Sequence, residues 1–431
     1  MARDIDIHVE HLTRVEGHGD IFFNAKKGKV EKVQWHVTEA PRFFEAMLRG
    51  KSYVHLRPIT SRICGICSIG HSLASLKATE AALGVRVSEE TVLLRRLALH
   101  GENLQSHVLH IGYLVVPDLF GVGSVFPIVA TNKDAVVKIV GLHRLANFLS
   151  DLVCGRTTHP ITLQLGGFNK VPTIAELVDL KSRLEASKPV ISEVAGLLAS
   201  VKSSLPDFDR ETEYIGLVDD KLYALYDGDI GSSDTGLHPV SYYQDITNEY
   251  VVGQSTAKYT KHARDSYFVG ALARFNLNES KLSHFGKEIA EVLGMKAPVH
   301  NPFMNTYAQM VEVADSVQDS IIIIDELLDR DVRGDMAKVE PRAGRGIAAV
   351  EVPRGILFHD YTIDSIGNCT KANCIIPTNQ NHANIQKDMD ELAPKIVKLP
   401  EKDIELTLEM LVRAYDPCIS CSTHYTKVHF V

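Results

Sequence analysis

Apolar and polar residues alternate from the start of the chain. Ile5, Ile7 and Val9 share one side of a period-two pattern, as a strand with one covered face requires. Apolar runs at residues 21–23 and 30–37 flank Lys27-Gly28-Lys29, which predicts a hairpin turn. The period then lengthens to that of a helix. An apolar run covers 72–83, and Ser88 stands as N-cap for a helix over 89–116. A second long helix is predicted over 134–155. Thr173 and Glu176 form a capping box for a third that reaches toward residue 205, adjusted at Pro189. Residues 206–262 are weakly periodic and predict loops and short strands. Helices are predicted again over 279–293, 305–328 and 403–415, the last stopped by Asp416-Pro417. Alternation returns at 346–363 and predicts β-structure. The pattern describes an α+β chain, predominantly helical. It has a large multi-helical body with small N-terminal and C-terminal β segments, read as a single domain over residues 1–431 with β-structure in residues 1–40.

Composition narrows the class. The 431 residues are 45% hydrophobic and 23% charged, the profile of an ordinary globular protein, which excludes a disordered chain. Forty-six basic and 54 acidic residues leave a net charge of −8, and no basic run could track a nucleic-acid backbone, so the expectation is no nucleic acid among its partners. The opening Met1-Ala2-Arg3-Asp4 lacks a signal-peptide pattern. The most apolar long stretch, 91–116, is interrupted by Arg95, Arg96, Glu102, Asn103 and Gln105, which argues against a membrane span. The expectation is a soluble, cytoplasmic protein.

Cysteine carries the chemistry. Seven cysteines are too few, and odd in number, for a secreted disulfide framework. Four of them form two Cys-x-x-Cys pairs: Arg62-Ile63-Cys64-Gly65-Ile66-Cys67 with His71 following, and Asp416-Pro417-Cys418-Ile419-Ser420-Cys421 with His424 following. Such spacing lets two sulfurs face one metal. About 350 residues separate the pairs, far beyond the local span of a zinc ribbon, so any shared site must be closed by the whole fold. A structural zinc site and two unrelated thiol pairs remain alternatives on spacing alone.

The two motifs resemble those of the large subunit of nickel–iron hydrogenases, in a form most similar to the cytoplasmic, cofactor-linked branch (sulfhydrogenase-like or deazaflavin-non-reducing). Further segments resemble the family in order: Arg14-Val15-Glu16-Gly17-His18, Pro41-Arg42-Phe43-Phe44-Glu45, Gln105-Ser106-His107, Glu351-Val352-Pro353-Arg354-Gly355 and Ile376-Pro377-Thr378. The resemblance implies a catalytic subunit that cleaves dihydrogen reversibly and heterolytically into protons and electrons. It implies a nickel–iron centre with carbon monoxide and cyanide on the iron. Cys64 and Cys418 would bind nickel terminally, and Cys67 and Cys421 would bridge to iron. Cys418 would serve as proton acceptor and Glu16 would relay the proton outward. Read alone, Glu16 is a solvated charge and Arg354 a surface turn arginine. The resemblance instead places Arg354 over the open metal position, paired with Asp118 and with Asp416 as a second carboxylate. Thr378 would bond an iron-bound cyanide, with Pro353 beside those ligands, and His71 and His107 would hydrogen-bond around the cluster. His110, on the same helix face as His107, reads as a core histidine. Glu45, the carbonyl of Cys374 and His424 would hold a separate Mg2+ or Fe2+ near the C-terminus.

Residues 425–431 match the extension that the family removes after nickel insertion. Ala271 and Gln309 depart from residues frequent in relatives. Subtracting the four ligands leaves Cys154, Cys369 and Cys374, too few for a four-cysteine iron–sulfur cluster. The resemblance therefore implies an iron–sulfur small subunit for partner, with further electron-transfer subunits using a flavin, a nicotinamide, a deazaflavin or a heterodisulfide reductase. No Gly-x-Gly-x-x-Gly fingerprint follows a strand. The non-catalytic rival, the related quinone-binding core subunit of respiratory complex I, lacks the four thiolates. A thioredoxin-like thiol oxidoreductase needs a βαβ frame that the pattern does not contain.

Overall fold

The alternation at the N-terminus forms the outer strand of an antiparallel sheet. In a computed structural model, which describes residues 3–330, 332 and 334–423, β1 (Ile5–Val9) pairs with β2 (Gly19–Lys26), which pairs with β3 (Lys29–Val37). Ile5, Ile7 and Val9 are buried and their neighbours exposed. The hairpin turn expected at Lys27-Gly28-Lys29 is made by Lys27 and Gly28, both at positive φ, with Lys29 already in β3.

Short helices α1 (Phe44–Leu48) and α2 (Leu56–Thr60) lead to α3 (Ser68–Leu83), which starts at Cys67 and lies against a second sheet. Ser88 caps α4 (Glu89–Leu109) by accepting the Thr91 N–H. The predicted helix continues through a π-helical turn at His110–Val115 into α5 (Val116–Leu119). Pro117 explains the change of pitch, because its ring and missing N–H break regular i→i−4 bonding. Next come α6 (Val125–Thr131), α7 (Lys133–Cys154) and α8 (Ile174–Ser200). The Thr173–Glu176 capping box is present and Pro189 lies inside α8.

The weakly periodic region holds short elements. The hairpin β4 (Leu163–Gln164) and β5 (Gly167–Phe168) precedes α8. A sheet ordered β8-β7-β6-β9 follows it, from β6 (Glu213–Val218), β7 (Asp229–Ser232), β8 (Gly236–His238) and β9 (Tyr267–Phe268). Helix α9 (Tyr243–Thr247) lies between β8 and β9. The helix predicted over 279–293 is corrected. Helix α10 (Ala271–Asn278) precedes it, residues 279–281 form a single 3-10 turn, and Ser283 restarts the chain as N-cap of α11 (His284–Val292).

Helix α12 (Asn305–Leu328) matches its prediction and runs through the body, touching α4, α8, α10 and α11. Eighteen of its residues are buried, and each fully buried Ile or Val there contributes roughly 1.5–3 kcal/mol. The second alternating stretch forms β10 (Gly344–Val352) and β11 (Gly355–Ile363), joined to β12 (Cys369–Ile375). Helix α13 (Pro377–Ile396) packs on β3, and α14 (Glu401–Ala414) delivers the chain to Cys418. The architecture is α+β with a dominant helical body, as the pattern indicated.

Candidate metal centre

The two cysteine pairs meet. Cys64 and Cys67 enter α3, and Cys418 and Cys421 follow the end of α14; all four are buried. The sulfurs of Cys64 and Cys418 are 3.5 Å apart. The ligand atoms of Cys64, Cys418 and Cys421 lie within 4.8 Å of one another. Cys67 adds its amide, which donates to Cys64 Sγ at 3.1 Å, and its sulfur receives Arg354 Nη1 at 3.4 Å.

The N-terminal loop reaches this junction through backbone pairing. Glu16 bridges Cys418 as an isolated parallel β-contact, and the Ile419 N–H donates to the Glu16 carbonyl at 2.9 Å. Gly17 makes the approach possible: its φ is +86°, and a Cβ there would lie 2.7 Å from the Ser420 nitrogen. The half-buried Glu16 carboxylate accepts from Cys418 Sγ at 3.1 Å and from the Ser420 N–H at 3.2 Å, and also bonds the Ser420 hydroxyl. Glu16 is therefore not the solvated charge it resembles in isolation.

Arg354 is likewise not on the surface; it is 3% exposed. It sits in the turn between β10 and β11, where Gly355 at φ +132° passes against Val269 and Gly270. Its Nε donates to the Asp416 carbonyl at 2.6 Å, its Nη2 to Asp416 Oδ1 at 2.7 Å and its Nη1 to Ser106 Oγ at 3.2 Å. The expected pairing of Asp118 with Arg354 is corrected. Asp118 is bound by Arg413, at 2.7 Å from Nε, and by Arg14. It ties the N-terminal loop to α14, because the π-helical turn carries it to those two guanidinium groups.

Thr378, at the start of α13, accepts the Cys418 N–H at 3.0 Å and keeps its own hydroxyl proton to donate. Pro353 offers its carbonyl to Arg274 Nη2 at 3.0 Å. His71 Nδ1 faces His359 Nε2 at 3.2 Å, and His359 bonds the Tyr361 hydroxyl at 2.6 Å. His107 Nε2 bonds Glu312 at 2.7 Å. His110 is a buried, doubly bonded histidine, as its plain reading holds. Glu45, buried on α1, accepts the Cys374 N–H at 3.1 Å. His424 lies outside the described residues, as does the tail 425–431. Cys154 is fully buried at the end of α7.

Several contributors are not identified in the sequence. Ser420 is visible only as the middle of a Cys-x-x-Cys pair, and Ser106 only as part of Gln105-Ser106-His107. Glu102 has no sequence signal: it accepts the Ile69 and Gly70 N–H groups at the start of α3, and burial pushes its carboxyl up to about 8.

The thiols perturb one another. Cys64 is held well below the usual thiol range by hydrogen bonds from Cys418, Cys421 and Cys67. Cys67 is pushed up chiefly by its bond to Cys64, Cys418 by its bonds with Cys421 and Cys64, and Cys421 by burial. Four buried sulfurs converge with one guanidinium that already pairs with Asp416. A cationic metal resolves this crowding, since coordination deprotonates thiols outright. Soft thiolates fit nickel and low-valent iron.

The nickel-dependent hydrogenase family model matches residues 42–135 and 240–424. The chain belongs to the nickel-dependent hydrogenase family. As a hydrogenase it corresponds to the large, catalytic subunit, an oxidoreductase acting on hydrogen. A HoxL-like model covers residues 6–40. The alpha subunit of sulfhydrogenase 2 from Pyrococcus furiosus is 31% identical over 424 residues, covering 98% of this chain and 100% of that one. The vhc F420-non-reducing hydrogenase subunit of Methanococcus voltae is 30% identical, covering 97% and 94%. The fold also matches an NAD+-reducing [NiFe]-hydrogenase in its H2-reduced state, at a TM-score of 0.87 and 24% identity, with 97% and 99% covered. The two sequence relatives are named as subunits, which makes each one chain of a larger hydrogenase. Among the described residues no helix is long and apolar enough to cross a membrane.

Proposed function

We propose that this hydrogenase subunit cleaves dihydrogen heterolytically at a nickel–iron centre held by Cys64, Cys67, Cys418 and Cys421, and passes the electrons to an iron–sulfur small subunit. When bound, the centre, with carbon monoxide and cyanide on its iron, supplies the electrophile that draws the electron pair of dihydrogen. The chain supplies the base. The observation that carries this reading is the 3.1 Å contact between Cys418 Sγ and Glu16 Oε2. A proton accepted at Cys418 Sγ passes to Glu16 across one hydrogen bond. Ser420 holds that carboxylate in line.

Arg354 contributes a fixed positive charge beside the sulfurs, and Asp416 keeps it from swinging away. In this buried setting it favours polarisation of the hydrogen molecule without reorganising. Thr378 has its hydroxyl proton free to bond a cyanide, with the Pro353 turn and His71 framing the same pocket. Asp118 acts one step further out by anchoring the Glu16 loop. Glu45, the Cys374 carbonyl and His424 would hold the second divalent ion, Mg2+ or Fe2+, near the C-terminus. Residues 425–431 would be the extension that the family removes after nickel insertion.

Partners follow from cysteine arithmetic. Cys154 lies at the end of α7 while Cys369 and Cys374 lie on β12, so electrons leave to clusters on another chain. A flavin, nicotinamide, deazaflavin or heterodisulfide-reducing subunit completes a cytoplasmic assembly.

The test replaces Cys418 with serine in the purified complex. Dihydrogen uptake with an artificial dye should fall at least about a thousandfold, because base and ligand are lost together. Unchanged uptake would end the reading.

A further inference from the structure

Gln309 stands on α12 with its side chain fully buried. Its Nε2 donates to Asp416 Oδ2 at 3.1 Å. Its amide oxygen lies 2.6 Å from His110 Nδ1, and His110 Nε2 lies 2.7 Å from the Arg413 carbonyl oxygen. The Asp416 carboxylate, paired with Arg354, accepts, so the amide presents its N–H to that carboxylate and its oxygen to His110 Nδ1. His110 Nε2 also lies 4.0 Å from Asp416 Oδ1. With its oxygen claimed by His110, Gln309 turns its N–H toward the carboxylate. The reverse orientation would set oxygen against oxygen in a buried site.

The same face of α12 supports the surrounding backbone. Asn305 donates to the Ala414 carbonyl at 2.8 Å, and Glu312 holds Arg274, which donates to the carbonyls of Val352 and Pro353 at 2.9 and 3.0 Å. Residues 305, 309 and 312 follow the i, i+4, i+7 spacing of one helix stripe. That stripe touches the chain on both sides of the Arg354–Asp416 pair.

We propose that Gln309, steered by His110, is a positioning residue for the hydrogen reaction: its amide holds the Asp416 carboxylate in the orientation that keeps Arg354 beside the four cysteines. The proposal rests on the reading of Arg354 given above. Gln309 acts through Asp416 and touches neither sulfur nor substrate.

Three variants of the intact complex, with rates expressed per bound nickel, test it. Gln309→Met keeps the length of the side chain and removes the N–H. It should lower kcat/KM for dihydrogen about ten- to a hundredfold, the worth of one hydrogen bond to a charged group. The infrared bands of the diatomic iron ligands should shift with it. Gln309→Glu, which sets carboxylate against carboxylate, should be slower still. In the double variant with Arg354→Lys, Gln309→Met should add little to the loss from Arg354→Lys alone, since both act through one group. Wild-type kcat/KM and unshifted bands in Gln309→Met, with Arg354→Lys impaired, overturn the positioning role alone. Fully additive losses overturn it too. Wild-type turnover in Arg354→Lys instead overturns the underlying reading of Arg354.

Discussion

Around Arg274 every buried charge meets its opposite. The guanidinium binds both oxygens of Glu312 at 2.6 Å and Glu351 at 2.8 Å, while His107 and the Tyr223 hydroxyl complete Glu312 at 2.7 Å each. Beyond the β10–β11 turn, whose Val352 and Pro353 carbonyls Arg274 holds, the cysteine site is built differently. The sulfurs of Cys64, Cys418 and Cys421 gather within 4.8 Å with Cys67 beside Cys64 and Arg354, Arg354 is shared with Asp416, and only one sulfur lies below the usual thiol range. The Arg274 cluster closes on itself and holds backbone. The cysteine cluster becomes electrostatically complete with a bound cation. Both clusters are buried; what separates them is that Arg274 and Glu312 find partners of opposite charge within their own cluster.

The comparison breaks most visibly at Arg274. Arg274→Met strands Glu312 and Glu351 in the core, and breaking such a buried assembly should cost roughly 3–5 kcal/mol of stability. Thermal unfolding should show a large drop in Tm. An unchanged Tm would mean the cluster supports nothing.

At the reactive site the effect should be kinetic. Glu16→Gln preserves shape and the backbone bridge to Cys418 but removes the carboxylate proposed to relay the proton. Hydrogen uptake should fall by about a hundredfold, with nickel content kept. Loss of nickel together with activity would make Glu16 a structural residue instead.

A smaller effect sharpens the Arg274 side. Burial pushes the Glu351 carboxyl up to about 7 despite Arg274. A carboxyl whose folded value is raised contributes stability below its unfolded value near 4.5, and that stability is lost as pH rises through about 7. Tm measured from pH 5.5 to 8 should therefore fall less steeply in Glu351→Gln than in the parent. Equal slopes would show that Glu351 does not titrate there.

The metal site was more legible than much of the fold. Two Cys-x-x-Cys pairs and a handful of short motifs named the residues that converge, because ligand chemistry tolerates few residue types. Helix α13 was not legible, for a physical reason. Its buried face carries Asn379, Gln380, Asn381, His382, Asn384 and Asp388, which spend their side chains on hydrogen bonds and erase the apolar period. Asn381 alone bonds both the N–H and the carbonyl of Val269 at 2.9 Å. Helix α10 was hidden for a similar reason, with Arg274 and Asn278 buried among its apolar residues. The family resemblance paired Asp118 with Arg354, whereas the structure pairs it with Arg413 and Arg14. Which guanidinium it meets depends on the π-helical turn, a feature that pattern does not encode.

Metal content per chain, in the complex purified anaerobically from its native host, tests the central claim most directly. The account predicts one nickel per chain, lost when Cys418 or Cys64 is replaced by serine. Zinc without nickel in the mature complex would make the four cysteines a structural site and contradict the account.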